Sequence, residues 1–416
     1  MNSLQKRVNI DVSLVRPRSP RENLPRLVVV GIVPEDAPII SEISPATMIR
    51  QSYKQINHPF VEQVRLSSIV QARLLPSIDM KYPSRLRDAL IAALDVGVDE
   101  VDFILARAPG IKPWELDKQE VVEMLMPFFN EVPGSMIVFP DLGGPWPRGY
   151  ESRPADDEQR RRLLAATRSY GQVFAENFQV GFVDLPNLPQ ADLLQIFESL
   201  RGSDMSVCSW NGAENNLQRH GWRSASIFVA SYMCKRLDMV TQSIVGHQIP
   251  LGGGRKIVHD RSALLGGETI PQVPIEVEEN CILLQIGRKG NTAEILSEFT
   301  MRRPRYEWSM PTLRTVKAIH QSLRRAADMF VFRGVKKIEA VALETAINMV
   351  LNPFYEMGIL VGPGGEGKPT VRGEALPDHE IPMLSADLVA MLHPWCQNIN
   401  LKVMVKSGME PIIEEQ

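Results

Sequence analysis

Nine residues near the C-terminal end, GPGGEGKPT at positions 362 to 370, come close to a phosphate-binding loop. Gly362, Gly367 and Lys368 satisfy most of the GxxxxGK(S/T) spacing, in which backbone N–H groups cradle phosphates and the final hydroxyl holds Mg²⁺. Here the residue after the lysine is Pro369, which supplies neither a hydroxyl nor a backbone N–H. Thr370 comes one place late, and VRGEALPDHE behind it lacks the helical pattern whose N-terminus would hold an anion. The segment therefore reads as a surface loop. A second glycine run, LGGGRK at 251 to 256, could present donors to an anion, but no strand–turn–helix pattern surrounds it.

Two carboxylates are better placed for acid–base chemistry. Asp141 in FPDLGG and Asp184 in VDLPN each end an apolar run that reads as a strand, where α/β sheets place ligand groups. An Asp in that position equally forms turns and caps helices, and no neighbouring residue raises either one to a catalytic constellation. The seven His include no HExxH and no pair at metal-ligand spacing, and no GxSxG elbow is present. Cys208, Cys234, Cys281 and Cys396 form no CxxC, so neither a zinc site nor a disulfide framework is expected and the thiols read as buried and reduced. Cys396, in HPWCQN just before a terminal strand, is the exception, placed to reach another subunit. No metal or cofactor is expected.

The elements that would position these residues belong to a 416-residue chain, 44% hydrophobic and 23% charged, long enough for one large α/β unit with appendages. A net charge of −3, with 46 basic and 49 acidic residues spread along the chain, gives no overall field for nucleic acid or an anionic membrane. No run approaches the roughly 18 apolar residues of a membrane span, and MNSLQKRVNIDVSL lacks an apolar signal-peptide core, so assembly in the cytoplasm is expected. LVVVGIV (27–33), VDFILA (101–106), SMIVFPD (135–141), VGFVDLP (180–186) and MSVCSW (205–210) read as buried strands. The segments 84–97, 114–129, 155–177 and 190–202 between them read as helices. That alternation predicts a mostly parallel sheet flanked by helices. Residues 44–76 are less regular, 224–240 read as a buried helix, and the loop 246–274 is long enough to be functional or to pack on a partner.

Both ends alternate like half-buried strands: Val8, Ile10, Val12 and Leu14 in RVNIDVSLVRP, and Ile399, Leu401, Val403 and Val405 in INLKVMVKSG. A lone strand is not stable in water, and the residues beyond SG look too few to fold back as its mate. The expected division is an N-terminal arm (1–23), an α/β region with inserted segments (24–280), a C-terminal core domain (281–398) and a C-terminal arm strand (399–416).

In the C-terminal third, LRTVKAIHQSLRRAADMF (313–330) sets Leu313, Val316, Ile319, Leu323, Ala326 and Phe330 on one helical face, with Arg314, Lys317, Gln321, Arg324 and Arg325 on another. An Arg-rich strand around Arg302 and Arg303, this helix, the apolar step Phe330–Val331–Phe332, a second helix at 338–351 and the turn Gly358–Ile359–Leu360–Val361–Gly362 follow in order. Over roughly residues 290 to 408 that order resembles contractile tail sheath proteins. It departs from phage sheaths where these often carry Glu-Pro-Asn after the aromatic; here Arg333–Gly334–Val335 stands. RVNIDVSL followed by NLPRLVVVGIV is also similar to the start of the small sheath subunit of type VI secretion and related injection systems.

The resemblance implies a sheath-type core with extended terminal strands that add to the sheets of neighbouring subunits by main-chain hydrogen bonds. It implies a helical homo-polymer of stacked six-fold rings around a tail tube protein, with baseplate and tail terminator proteins at its ends, in a phage tail or injection particle assembled in the bacterial cytoplasm. It further implies that Arg314, Lys317, Arg324 and Arg325 face the tube through weak, screened contacts. Cys396, beside the arm, becomes a candidate intersubunit disulfide. Such a protein is not an enzyme; the alternative is an α/β enzyme using Asp141, Asp184 and the 246–274 loop at a strand-end crevice.

Overall fold

The computed structural model describes residues 26–33, 61–66, 84–99, 101–130, 132–144, 155–186, 190–210, 224–235, 243–250, 280–286, 292–301, 309–379, 381–392, 397–406, 409 and 411–415. Its larger sheet holds β1 (Leu27–Val33), β2 (Val61–Leu66), β3 (Val101–Arg107), β4 (Met136–Gly143), β5 (Val180–Asp184), β6 (Met205–Trp210), β7 (Gln248–Pro250), β8 (Ile282–Ile286) and β9 (Thr292–Ile295). The spatial order is β2-β3-β1-β4-β5-β6-β8-β9-β7. From β3 to β8 neighbouring strands are parallel, whereas β2 lies antiparallel to β3, and β9 antiparallel to β8 and β7. The sheet is mixed, with antiparallel strands closing both edges, where a mostly parallel sheet was expected. Connection length accounts for part of this: residues 287–291 between β8 and β9 are too few for a parallel crossover.

The central strands are buried on both faces, which is why they read as unbroken apolar runs. Along β1, Val29 and Val33 pack with α1 (Leu86–Val96) and α5 (Ala225–Lys235). Val28, Val30 and Ile32 meet α2 (Gln119–Phe129), α3 (Asp156–Glu176) and α4 (Gln190–Leu200) on the opposite face. The period-2 pleat thus sends alternate residues into two helix layers.

A long helix, α6 (Met310–Asp328), joins this unit to a second. Its Met310 and Leu313 belong to the first core, while Val316, Ile319, Leu323 and Ala327 belong to the next. After α7 (Lys337–Glu356) come β10 (Leu360–Val361), β11 (Thr370–Leu376), β12 (Met383–Leu392), β13 (Gln397–Lys406) and β14 (Ile412–Glu415). They form an antiparallel sheet in the order β10-β12-β13-β14, with β11 also paired to β12. On one face Leu384, Ala386, Leu388, Leu401, Val403 and Val405 pack with the apolar sides of α6 and α7. On the other, the register sets Arg372, Asp387 and Lys402 side by side across the three strands β11 to β13. A one-residue slip would move both the apolar set and this row of alternating charge to the wrong face.

The terminal strand is therefore not without partners in its own chain. Ile399, Leu401, Val403 and Val405 lie on β13, which pairs with β12 along its length and with β14 from Leu401 to Met404. This corrects the expectation of an unpaired C-terminal arm. The few residues after SG suffice because they extend a formed sheet and need not stand alone.

Gly373 allows β11 to lie against α7. Its N–H donates to Glu344 Oε2 at 2.9 Å, and a Cβ there would sit 2.4 Å from the Ala340 carbonyl oxygen. Gly373→Ala is expected to cost about 1–3 kcal/mol by forcing strand and helix apart, read from denaturant unfolding; an unchanged midpoint would mean that the helix shifts freely.

Candidate functional site

The two strand-end carboxylates come together around one guanidinium. Asp141, on β4, accepts from Ser84 Oγ at 2.7 Å and from the Arg85 backbone N–H at 2.5 Å. Asp184, ending β5, accepts from Arg85 Nη1 at 2.9 Å and from the Ser226 backbone N–H at 2.8 Å. The Ser224 and Ser226 hydroxyls bond each other at 2.7 Å. Ser84 and Arg85 lead into α1, and Ser224 into α5. The strand-end acids thus satisfy N–H groups that a helix start leaves without intrahelical partners, and they suit its positive end.

All of these groups are sealed: Arg85, Asp141 and Asp184 are each no more than 1% exposed. Burial pushes the Asp141 carboxyl up from 3.8 to about 6, against the pull of Arg85 and its two hydrogen bonds. One guanidinium between two carboxylates leaves the cluster a net negative charge when both acids ionise, and a proton on Asp141 removes it. The cluster can brace two helices against the sheet. With no exposed carboxylate to receive a substrate, it does not favour the enzyme alternative.

The basic stripe of α6 is likewise taken up inside the chain. Arg314, 4% exposed, donates to the Met233 carbonyl at 3.2 Å, and burial lowers its pKa to about 10. Lys317 Nζ bonds Asp204 Oδ2 at 2.8 Å and reaches the Phe174 carbonyl at 3.5 Å. Gln321 donates to the Pro133 carbonyl at 3.3 Å, and Arg324 to the Glu176 carbonyl at 3.2 Å while lying over the Phe178 ring. Met233, Phe174 and Glu176 belong to the last turns of α5 and α3, where carbonyls outnumber donors and the helix dipole draws cations. Arg314 and Lys317 are therefore interior fastenings between the two units, a correction to their expected place facing a tube. Arg324 is half-buried, and Arg325 reaches the surface at the end of the stripe.

Val8, Ile10, Val12, Leu14 and Cys396 lie outside the described residues, as does 251–279 of the long loop. Cys208, Cys234 and Cys281 are buried free thiols, and burial pushes Cys234 up to about 12. The near-phosphate loop holds a short 3-10 turn, Pro363–Gly365, and its Lys368 lies over the Tyr355 ring. Among the described residues no three His, Cys, Asp or Glu cluster to hold a metal, and no helix is long and apolar enough to cross a membrane.

A feature the sequence reading passed over is an exposed apolar surface on the second unit. Phe332 is 90% exposed, and Ile338, Val341 and Met349 on α7 are all solvent-facing. Their spacing of three and eight residues was visible as a second apolar stripe, on the side away from Ala340, Leu343, Ile347 and Leu351.

Neither a protein-family model nor a curated protein matches this sequence. Among solved structures, a chain of the anti-feeding prophage baseplate, symmetrised six-fold, aligns with a TM-score of 0.51 at 14% identity, over 83% of this chain and 82% of that one. A chain of the anti-feeding prophage helical sheath in its contracted state aligns with a TM-score of 0.50 at 14% identity, over 90% and 89% of the two chains. At such identity the likeness is one of fold, and in fold this chain is similar to a baseplate chain and to a helical-sheath chain of the anti-feeding prophage.

Proposed function

We propose that this chain is a structural subunit of a contractile sheath, polymerising helically around a tail tube and contracting to drive that tube through a target envelope. The observation that carries this reading is the likeness to a helical sheath chain over 90% of the present one, spanning both units. The sealing of Asp141 and Asp184 agrees with a bracing role and not with turnover. Work on contraction comes from subunit interfaces formed as a metastable lattice relaxes, with no nucleotide consumed. Copies stack as six-fold rings, with baseplate and tail terminator proteins at the ends, after assembly in the bacterial cytoplasm. Val8, Ile10, Val12 and Leu14 supply a strand that adds to a sheet edge of a neighbouring copy. Arg324 and Arg325, where α6 emerges, contact the tube through screened charges. Cys396 crosslinks copies once particles reach oxidising surroundings, which non-reducing gels of assembled particles read as dimer bands; monomer alone would remove the crosslink.

The test is negative-stain electron microscopy of the full chain, alone and with a tube protein, beside a variant lacking residues 1–23. Hollow ribbed cylinders from the full chain, lost in the variant, are the expected result. Uniform small particles under both conditions would overturn the sheath reading.

A further inference from the structure

Where α6 lies against the first unit, the backbone it meets is strained. Phe178, just past the end of α3, is the one non-glycine residue with a positive φ, 58°, among the described residues. It holds the left-handed position of a helix-closing turn. The Phe178 N–H donates to the Ala175 carbonyl at 3.3 Å and the Gln179 N–H to the Phe174 carbonyl at 2.8 Å. Glycine is the usual residue there, because a Cβ crowds the backbone in that conformation. A bulky side chain stands in such a turn only where its surroundings hold it.

Here the surroundings come from α6. The Phe178 ring is 8% exposed, with the His320 ring set edge to face at 5.7 Å and the Arg324 guanidinium 5.8 Å from its centroid, one turn apart on the helix. The rest of this contact is polar. Arg314, Lys317, Gln321 and Arg324 bond the carbonyls of Met233, Phe174, Pro133 and Glu176, and Lys317 also bonds Asp204. Opening such a contact returns cations, carbonyls and a carboxylate to water, and the apolar surface it uncovers is that of Phe178. The start of α6 differs, since Met310 and Leu313 sit in the first core.

We propose that the second unit swings on the first turn of α6, and that Phe178 is the catch that holds it shut. Shut, α6 covers the ring and sustains the left-handed turn. Open, the ring loses its cover, the turn relaxes and Lys317 meets solvent, while both cores stay folded. The ring that closes the joint is carried by the strained residue, so the two events are one step. Two such states let the units change their relative orientation without unfolding either. The catch is a property of this chain, independent of whether copies build a sheath.

Amine and thiol labelling of the full chain tests it, each residue's rate being taken relative to its rate in the denatured protein. In the shut form Lys317 is 7% exposed, Lys337 on α7 faces solvent, and Cys208 and Cys281 in the first unit are fully buried. An acylating reagent is expected to modify Lys317 more slowly than Lys337, yet well before a thiol reagent reaches either cysteine, as partial opening requires. F178A keeps the left-handed backbone and loses the ring. It is expected to speed Lys317 labelling roughly tenfold, with cysteine labelling and amide exchange in β12 and β13 unchanged. F178G loses the ring but relieves the turn, and should fall between F178A and the parent chain. Lys317 that reacts only in step with Cys208 and Cys281 would mean that the units never part short of global unfolding, and would overturn the swing. Lys317 labelling that F178A leaves unchanged, or that F178G slows below the parent rate, would remove Phe178 as the catch.

Discussion

Arg85→Ala is expected to lower the stability of the first unit at neutral pH by about 3–5 kcal/mol, among the largest single-residue effects in this chain. The side chain is 1% exposed and its Nη1 lies 2.9 Å from Asp184 Oδ2, while its backbone holds Asp141. Removing the guanidinium leaves two buried carboxylates without their cation. The loss should depend on pH in a direction the Asp141 carboxyl sets. Its folded-state pKa is already raised to about 6, so the folded protein takes up this proton before the unfolded chain does. Stability through this group is therefore fullest below the ordinary carboxylate range and is lost as pH rises through about 6. Deleting Arg85 removes a pull that lowers this pKa and should move the transition higher still. The variant should thus be worst at pH 7 to 8 and recover part of its deficit near pH 5. Denaturant unfolding of both proteins across that range measures it. A deficit that grows on acidification would reject this account of the cluster.

The same cluster shows what a sequence can and cannot disclose. Asp141 and Asp184 were legible as strand-end acids because the runs before them are unbrokenly apolar, the mark of strands buried on both faces. Their shared partner was not legible: Arg85 contacts them across 56 and 99 residues, in a segment that read only as the start of a helix. Strands β1, β3, β4, β5 and β6 and all seven described helices fall close to the expected segments. The edge strands do not, since VEQVRL is half polar, β7 has three residues, and TVRGEAL carries a glycine. Such strands form because a sheet edge is already present, a tertiary cause with little local signal.

The basic stripe of α6 failed differently. Its periodicity is legible in the sequence, with one apolar and one cationic face, but periodicity does not say what covers a face. Arg314 and Lys317 are buried because the carbonyl ends of α5 and α3 and the Asp204 carboxylate arrive there from elsewhere in the chain. A buried cation needs such partners. Without the fold, a stripe that fastens two units together looks the same as one that waits for a partner.

Ending the chain at Asn398 is expected to unfold the second unit, an outcome larger than the loss of an arm. β13 is an interior strand, flanked by β12 and β14, and the cut removes Leu401, Val403 and Val405, all at most 2% exposed. Burial of three such side chains contributes roughly 5–9 kcal/mol, before the ladder bonds of β12 and the loss of β14 are considered. That is comparable with the whole stability of a typical domain. The truncated protein should therefore aggregate or lose the protection of α6 and α7 in hydrogen exchange, while the nine-stranded sheet keeps its own core. Ending instead at Glu410 removes only β14, whose Ile412 is partly exposed, and should leave a folded second unit with a frayed edge at β13. The pair of truncations separates two roles for the C-terminal residues. If the longer chain folds yet fails to associate, residues beyond Glu410 act between copies. If the chain ending at Asn398 stays fully folded, β13 is dispensable to its own sheet, and its strand is free to serve a neighbour after all.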